Sequence, residues 1–250
     1  KKANRIKIKN VKIPDLSLKI SSAINVDIDN GFRNINLTGL EMTTCEINND
    51  FGNVSITGTN AFFEIDVNSG QVMLQGTEGK TDVSCQFGSV SIMNHNGDIK
   101  SEQNSGKFSG TKLNGNIDID NEFGSVTLSQ IESSLTSIES NSGRVSVSNL
   151  NGSTVTIDSD FGSMQITDIV AKLNVKGQSG NLKIKNIEGN AAVINEFGKI
   201  GITNVNGNVV VTGGSGKIDI NTIAGNLKIQ SKFAHIDLVD LKGDLKAYIQ

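Results

Sequence analysis

A dipeptide that returns every 18 or 19 residues constrains this chain more than any other feature. Phe-Gly stands at Phe51-Gly52, Phe87-Gly88, Phe123-Gly124, Phe161-Gly162 and Phe197-Gly198. Ser-Gly stands between them, at Ser69-Gly70, Ser105-Gly106, Ser142-Gly143, Ser179-Gly180 and Ser215-Gly216. Phe32 opens the series without a glycine, and Phe233-Ala234 closes it. Fixed-period self-similarity on this scale is the signature of a repeat architecture, in which each unit buries its apolar face only against its neighbours.

Further columns keep the same register. Val54, Val72, Val90, Val126, Val145 and Ile200 stand three residues after the pair begins, and Ile56, Leu74, Ile92, Leu128 and Ile202 two beyond that. Ile47, Ile65, Val83, Ile119 and Ile157 stand four before it, with Cys45, Phe63, Ile99, Val155 and Leu173 six before. A second glycine column holds Gly79, Gly97, Gly115, Gly152, Gly189, Gly207, Gly225 and Gly243. Just ahead of it runs an apolar column, Leu113, Ile131, Leu150, Ile169 and Ile187, in which His95 appears once. Between these positions fall Ser, Thr, Asn, Asp and Lys. Alternation with period 2 specifies half-buried strands rather than helices. Each unit therefore reads strand, glycine turn, strand, glycine turn. The single proline fits, because an interior ladder strand cannot spare an N–H.

Because Phe and Ser alternate, a 36-residue period lies over the 18-residue one. A 36-residue coil would bring Glu122, Asp160 and Glu196 onto successive rungs about 4.8 Å apart, where like charges repel. An 18-residue coil interleaves them with amides, and two walls about 10 Å apart fill with Val and Ile. The fold expected is all-β: a single-stranded, right-handed parallel β-solenoid of 18 residues per coil and roughly thirteen coils. It is read as one domain over residues 1–250. Residues 1–12 form an N-terminal cap or leading strand, and the repeats occupy 13–250. Leu16, Leu18 and Ala23 fit the first coil, and the last one is expected to stop part-way, at Leu245, Ala247 and Ile249.

The recurring phrase Phe-Gly-Ser-Val-Ser-Ile at 87–92, with Phe-Gly-Ser-Val-Thr-Leu at 123–128 and Asn-Gly-Asn-Ile-Asp-Ile at 114–119, resembles the bacterial adhesin-like β-solenoid domains of unknown function, akin to auto-transporter adhesin (head-GIN) domains common in Bacteroidetes. The resemblance covers residues 26–250. It implies a β-solenoid, no transferable catalytic residue, and a cell-envelope, periplasmic or extracellular location behind a signal or lipoprotein peptide. The chain itself shows no signal peptide, as expected of a cytosolic or a processed mature protein.

Chemistry is sparse. Acids outnumber bases 26 to 23, so no strong field draws nucleic acid. No apolar run approaches a membrane span, which leaves a lipid anchor upstream compatible with the sequence. Asp118 with Asp120, Asp158 with Asp160, and Asp237 with Asp240 are the carboxylate pairs that a pectin-lyase-like, polysaccharide-active β-helix would use. Asp118, Asp120 and Asp158 have outward parity and read more simply as solvated strand faces. Glu122, Asp160 and Glu196 could offer calcium hard oxygens, but the glycine-rich nonapeptide of calcium-binding β-rolls is missing. His95 and His235 have no ligand at zinc spacing, and Cys45 and Cys85 read as buried small hydrophobes. The reading is therefore no catalytic residue, no metal and no cofactor. The expected role is a non-enzymatic envelope or surface scaffold presenting a rigid polar face to a protein or glycan.

Three positions stand out. The corner column of Phe51, Phe87, Phe123, Phe161, Phe197 and Phe233 is expected to line one edge, with Ser69, Ser105, Ser142, Ser179 and Ser215 between, each ring filling space beside a small hydroxyl. Buried rings would make Phe123→Ala cost about 3–5 kcal/mol; rings facing solvent would make the column a binding stripe. Asn30, Asn49, Asn121 and Asn195 have inward parity and must bond turn backbone or one another. Ala192, Ile194 and Val210 have outward parity where other coils carry polar groups, and form a candidate partner patch for a protein, an acyl group or a second copy of the chain.

Overall fold

The computed structural model describes residues 5–9, 15–18 and 24–250, with the backbone alone at 15–18. Ala23 lies outside the described residues. Among these residues every regular element is a strand. The chain divides into two compact units, residues 1–124 and 125–250.

In the first unit a leading strand, Arg5–Lys9, pairs in parallel with Asn25–Asn30, and Asp15–Leu18 pairs with Asn34–Thr38. The coils then climb through Glu41–Phe51, Asn60–Gln75, Thr81–Asn96 and Ile99–Asn114. The register is explicit: Ser69 lies beside Phe87, and Phe87 beside Ser105. One coil is therefore 18 residues, and a 36-residue coil is excluded. In the second unit Leu182–Glu188, Ala191–Asn206, Val209–Ile223, Leu227–Leu241 and Leu245–Ile249 stack in the same parallel way. The fold class is that of a parallel β-solenoid.

The inward columns are buried as their parity requires, from Cys45, Ile47, Val54 and Ile56 in the first unit to Val209, Val211, Ile218 and Ile220 in the second. The two walls of a coil touch directly: a Cβ on Gly213 would lie 2.9 Å from Ile218 Cδ1. Cys45 and Cys85 are free thiols in this core, and burial pushes the Cys45 thiol up to about 12.

The glycines have a reason beyond turning. At the Phe/Ser corner, Gly106 has φ +145°, and a Cβ there would stand 1.5 Å from the carbonyl oxygen of Gly88 one coil below. Successive corners stack backbone on backbone, at a distance only glycine permits. A backbone feature that the sequence concealed lies seven residues after each corner. There the chain enters the left-handed region at Gly58, Gly76, Asn94 and Lys112, and in the second unit at Gln130, Asn149, Asp168, Asn186, Asn204 and Thr222. Asn and Asp tolerate that region because their short side chains bond locally. In the second unit they also ladder, Asn186 Nδ2 donating to Asp168 Oδ1 at 2.7 Å and Asn204 Nδ2 to Asn186 Oδ1 at 3.0 Å.

Candidate partner-binding edge

The corner begins with an inward amide. Asn49 Nδ2 donates to the carbonyl of Gly52 at 2.8 Å, Asn30 Nδ2 to that of Arg33 at 2.8 Å, and Asn195 Nδ2 to that of Phe197 at 3.0 Å. Neighbouring amides also join: Asn30 to Asn49 Oδ1, and Asn121 to Gln103 Oε1. All four asparagines are buried, as their parity predicts. The amide braces the turn from within and occupies the space inside the vertex.

That bracing decides where the ring goes. Phe51, Phe87 and Phe123 in the first unit, and Phe161 and Phe197 in the second, are about half exposed, and Phe233 is 80% exposed. The rings line the edge, but they do not fill space as expected. With the interior taken by the asparagine or its counterpart, and the next residue a glycine pressed on the coil below, the side chain projects outward at the vertex. The column is a solvent-facing stripe. Phe32 and Phe51, on successive coils, stack with ring centroids 5.3 Å apart and planes 9° from parallel. Elsewhere within each unit a serine separates successive rings, which puts them two coils, about 9.6 Å, apart.

On the adjoining strand face of the second unit, Ile194 is 43% and Val210 40% exposed, with Ala192 half-buried beside Val210. The three share an outward face as their parity predicts. Ile194 also reaches the corner, where it borders a cleft of about 570 Å³ with Phe197, Phe233 and Tyr248. Patch and stripe are thus contiguous in this unit, a junction that column-by-column reading of the sequence missed.

The remaining candidates are dispersed. Asp118 and Asp120 are exposed on the first unit's outer strand, which also carries Glu46, Glu64, Asp66, Asp82 and Glu102. On that face Lys80 pairs with Asp82 at 3.0 Å and Lys100 with Glu102 at 2.6 Å. Asp158 faces outward and pairs with Lys176 at 2.7 Å. Asp237 meets Lys217 at 2.8 Å and His235 at 3.1 Å, whereas Asp240 sits at a left-handed turn. Asp219 joins this network through Lys199 and Lys217, at 2.6 and 2.7 Å, and the Lys199 bond leads in holding its carboxyl below the usual range. Among the described residues no group of three or more His, Cys, Asp or Glu is arranged to hold a metal.

His95 is buried, as its apolar column predicts, yet it belongs to a polar run. Thr59 and Thr77 hold the same column position on the preceding coils, and Thr77 Oγ1 lies 2.9 Å from His95 Nδ1. Desolvation lowers the imidazole to about 4, against hydrogen bonds to Gly79 and Thr77 that raise it. At the base of this unit Asp27, also buried, is met by Lys7 at 2.8 Å and by Arg5, and the Lys7 bond leads in holding its carboxyl low. Neither cluster stood out in the sequence.

Fold and edge together define a parallel β-solenoid with a periodic aromatic vertex. Over residues 133–248 the chain matches the family model described as Toastrack DUF4097, a domain of unknown function. No curated protein and no solved structure matches it. Among the described residues no helix is long and apolar enough to cross a membrane.

Proposed function

We propose that this chain is a non-enzymatic recognition scaffold of the bacterial cell envelope or cell surface, adhesin-like in use, whose aromatic edge docks a protein or glycan partner. One observation carries the reading: from Phe51 onward, within each unit, an exposed phenylalanine stands at the same vertex of every second coil. Exposed aromatics supply large contact area at low entropic cost, and a solenoid holds them at fixed spacing. Of the candidate carboxylates, Asp158 pairs with Lys176 and Asp237 with Lys217, which supports a scaffold over a polysaccharide-cleaving site. The envelope location rests on the family resemblance. The patch of Ala192, Ile194 and Val210 extends the docking surface and also suits a second copy of the chain.

The test uses purified bacterial envelopes. Wild-type protein should sediment with them. A variant with Phe51, Phe87, Phe161 and Phe197 changed to Ser should stay in the supernatant while melting like wild type. Equal retention of the two proteins, or of neither, overturns the reading. Ile194→Lys in sedimentation velocity separates the self-association branch, since only a dimer through the patch loses mass.

A further inference from the structure

This inference rests on the docking-edge reading and names the occupant of one segment of it. We propose that the notched edge of residues 125–250 binds a proline-rich peptide in the polyproline II conformation. Here Phe161, Ser179, Phe197, Ser215 and Phe233 occupy successive coils, with Ser179 paired to Phe197, Phe197 to Ser215 and Ser215 to Phe233. Each serine is a notch between two exposed rings. The two notches are two coils apart, about 9.6 Å.

A polyproline II helix has three residues per turn and rises about 3.1 Å per residue, so it presents the same face about every 9.3 Å. A segment with proline at every third position, lying along the edge, seats one proline in each notch. An extended strand presents one face every two residues, about 6.6 Å, and falls out of step at the second notch. Aromatic-lined grooves are the general receptor for this conformation, whose ordering cost is already low. The flanks agree. Asp160 and Glu196 immediately precede Phe161 and Phe197 and suit a lysine or arginine at that end of the peptide, Lys232 precedes Phe233 at the other end, and the exposed Gln178 amide beside Ser179 can donate to the peptide's unpaired carbonyls. The Ser215 notch opens onto the cleft that Phe197 and Phe233 border.

The experiment measures fluorescence anisotropy of a labelled peptide with proline at every third position and a terminal lysine, titrated with the whole protein. A scrambled peptide of the same composition and two oligosaccharides, chitohexaose and cellohexaose, are run beside it. Phe197→Ser removes the ring that both notches share. Ser215→Phe closes one notch, and the Phe32–Phe51 stack shows that rings on successive coils are accommodated. The periodic peptide should bind at least about tenfold more tightly than the scrambled one, and each substitution should weaken it by about tenfold or more, at an unchanged melting temperature. Should Phe197→Ser fail to fold, Ser215→Phe carries the test alone. Equal binding of the two peptides, or periodic-peptide binding that ignores both substitutions, overturns the proposal. Oligosaccharide binding lost in both variants, with no peptide binding, overturns the polyproline assignment and leaves the docking edge standing. Silence of every probe, together with envelope retention that ignores the phenylalanines, removes both.

Discussion

At one vertex of a coil, Phe87-Gly88 for example, the large side chain stands outside. At the other, where Gly97 stands nine residues after Gly88, His95 is buried inside, as Leu113 is ahead of Gly115 one coil on. Both vertices stack glycine on the backbone of the coil below, and the closest approaches fall at the first vertex, at Gly88, Gly106, Gly124, Gly162 and Gly180. A Cβ would come to 1.5 Å from a carbonyl oxygen at Gly106 and to 2.3 Å at Gly97. The sequence differs in the same sense: between Arg33 and Ala234 the first vertex keeps glycine in ten successive coils, whereas the second admits Ala61, Ser133 and Ala171. The first vertex turns its side chain to solvent whether that contact is 1.6 Å, at Gly124, or 2.2 Å, at Gly198. The second keeps its side chain in the core.

The largest test of this contrast is Gly106→Ala. It should cost more than about 4 kcal/mol or abolish cooperative unfolding, because the new methyl meets immovable backbone at a positive φ. Gly97→Ala should cost clearly less in the same urea titration, as Ala61 already stands in that column. Next comes the pair Ile187→Ala and Phe197→Ala. The buried isoleucine of the second vertex should cost about 2–5 kcal/mol, and the exposed ring of the first under about 1 kcal/mol. Equal losses would collapse the inside–outside distinction.

His95 offers a pH test. Its imidazole titrates near 4 in the folded chain and near 6.5 when unfolded, so the unfolded state takes the proton first. The stability it allows is complete above pH 6.5, falls as pH drops toward 4, and levels off below that, a total of about 3 kcal/mol. His95→Leu, matching Leu113 in the next coil, should remove that slope from denaturation curves recorded across the interval. The smallest effect is expected at Thr222, a β-branched residue at φ +59°. Thr222→Asn suits the left-handed region and should raise stability by about 0.5–1 kcal/mol, read as a small rise in melting temperature.

The coil length, the inward columns and the buried asparagines were legible in the sequence, because strand parity and an 18-residue register leave little freedom. The exposure of Phe123 or Phe197 was not. A corner residue belongs to neither parity, and apolar character alone argued for burial. The left-handed column was hidden because Gly76, Asn94, Lys112 and Thr222 share a backbone angle and no chemistry. Thr59, Thr77 and His95 hid for a related reason: polar groups can replace Leu in a buried column once each has a hydrogen-bond partner, as Thr59 has in the carbonyl of Thr57 and Thr77 in His95. Ala192, Ile194 and Val210 were visible as apolar residues on a polar face. Their continuity with Phe197 required knowing which way the ring turned.

The pairing register also bears on how fast such a chain can form. Parallel sheets are ordinarily slow to assemble, since partners lie far apart along the chain and closing long loops costs entropy before contacts repay it. Here a residue pairs with another 18 positions away. Set against 250 residues, a separation of 18 is about 0.07 of the chain, the range typical of fast helical bundles. Each added coil closes the same short loop whatever the total length, so an all-β protein of this kind is expected to fold on the timescale of a local, zipper-like process, with the first paired coils as its slow step.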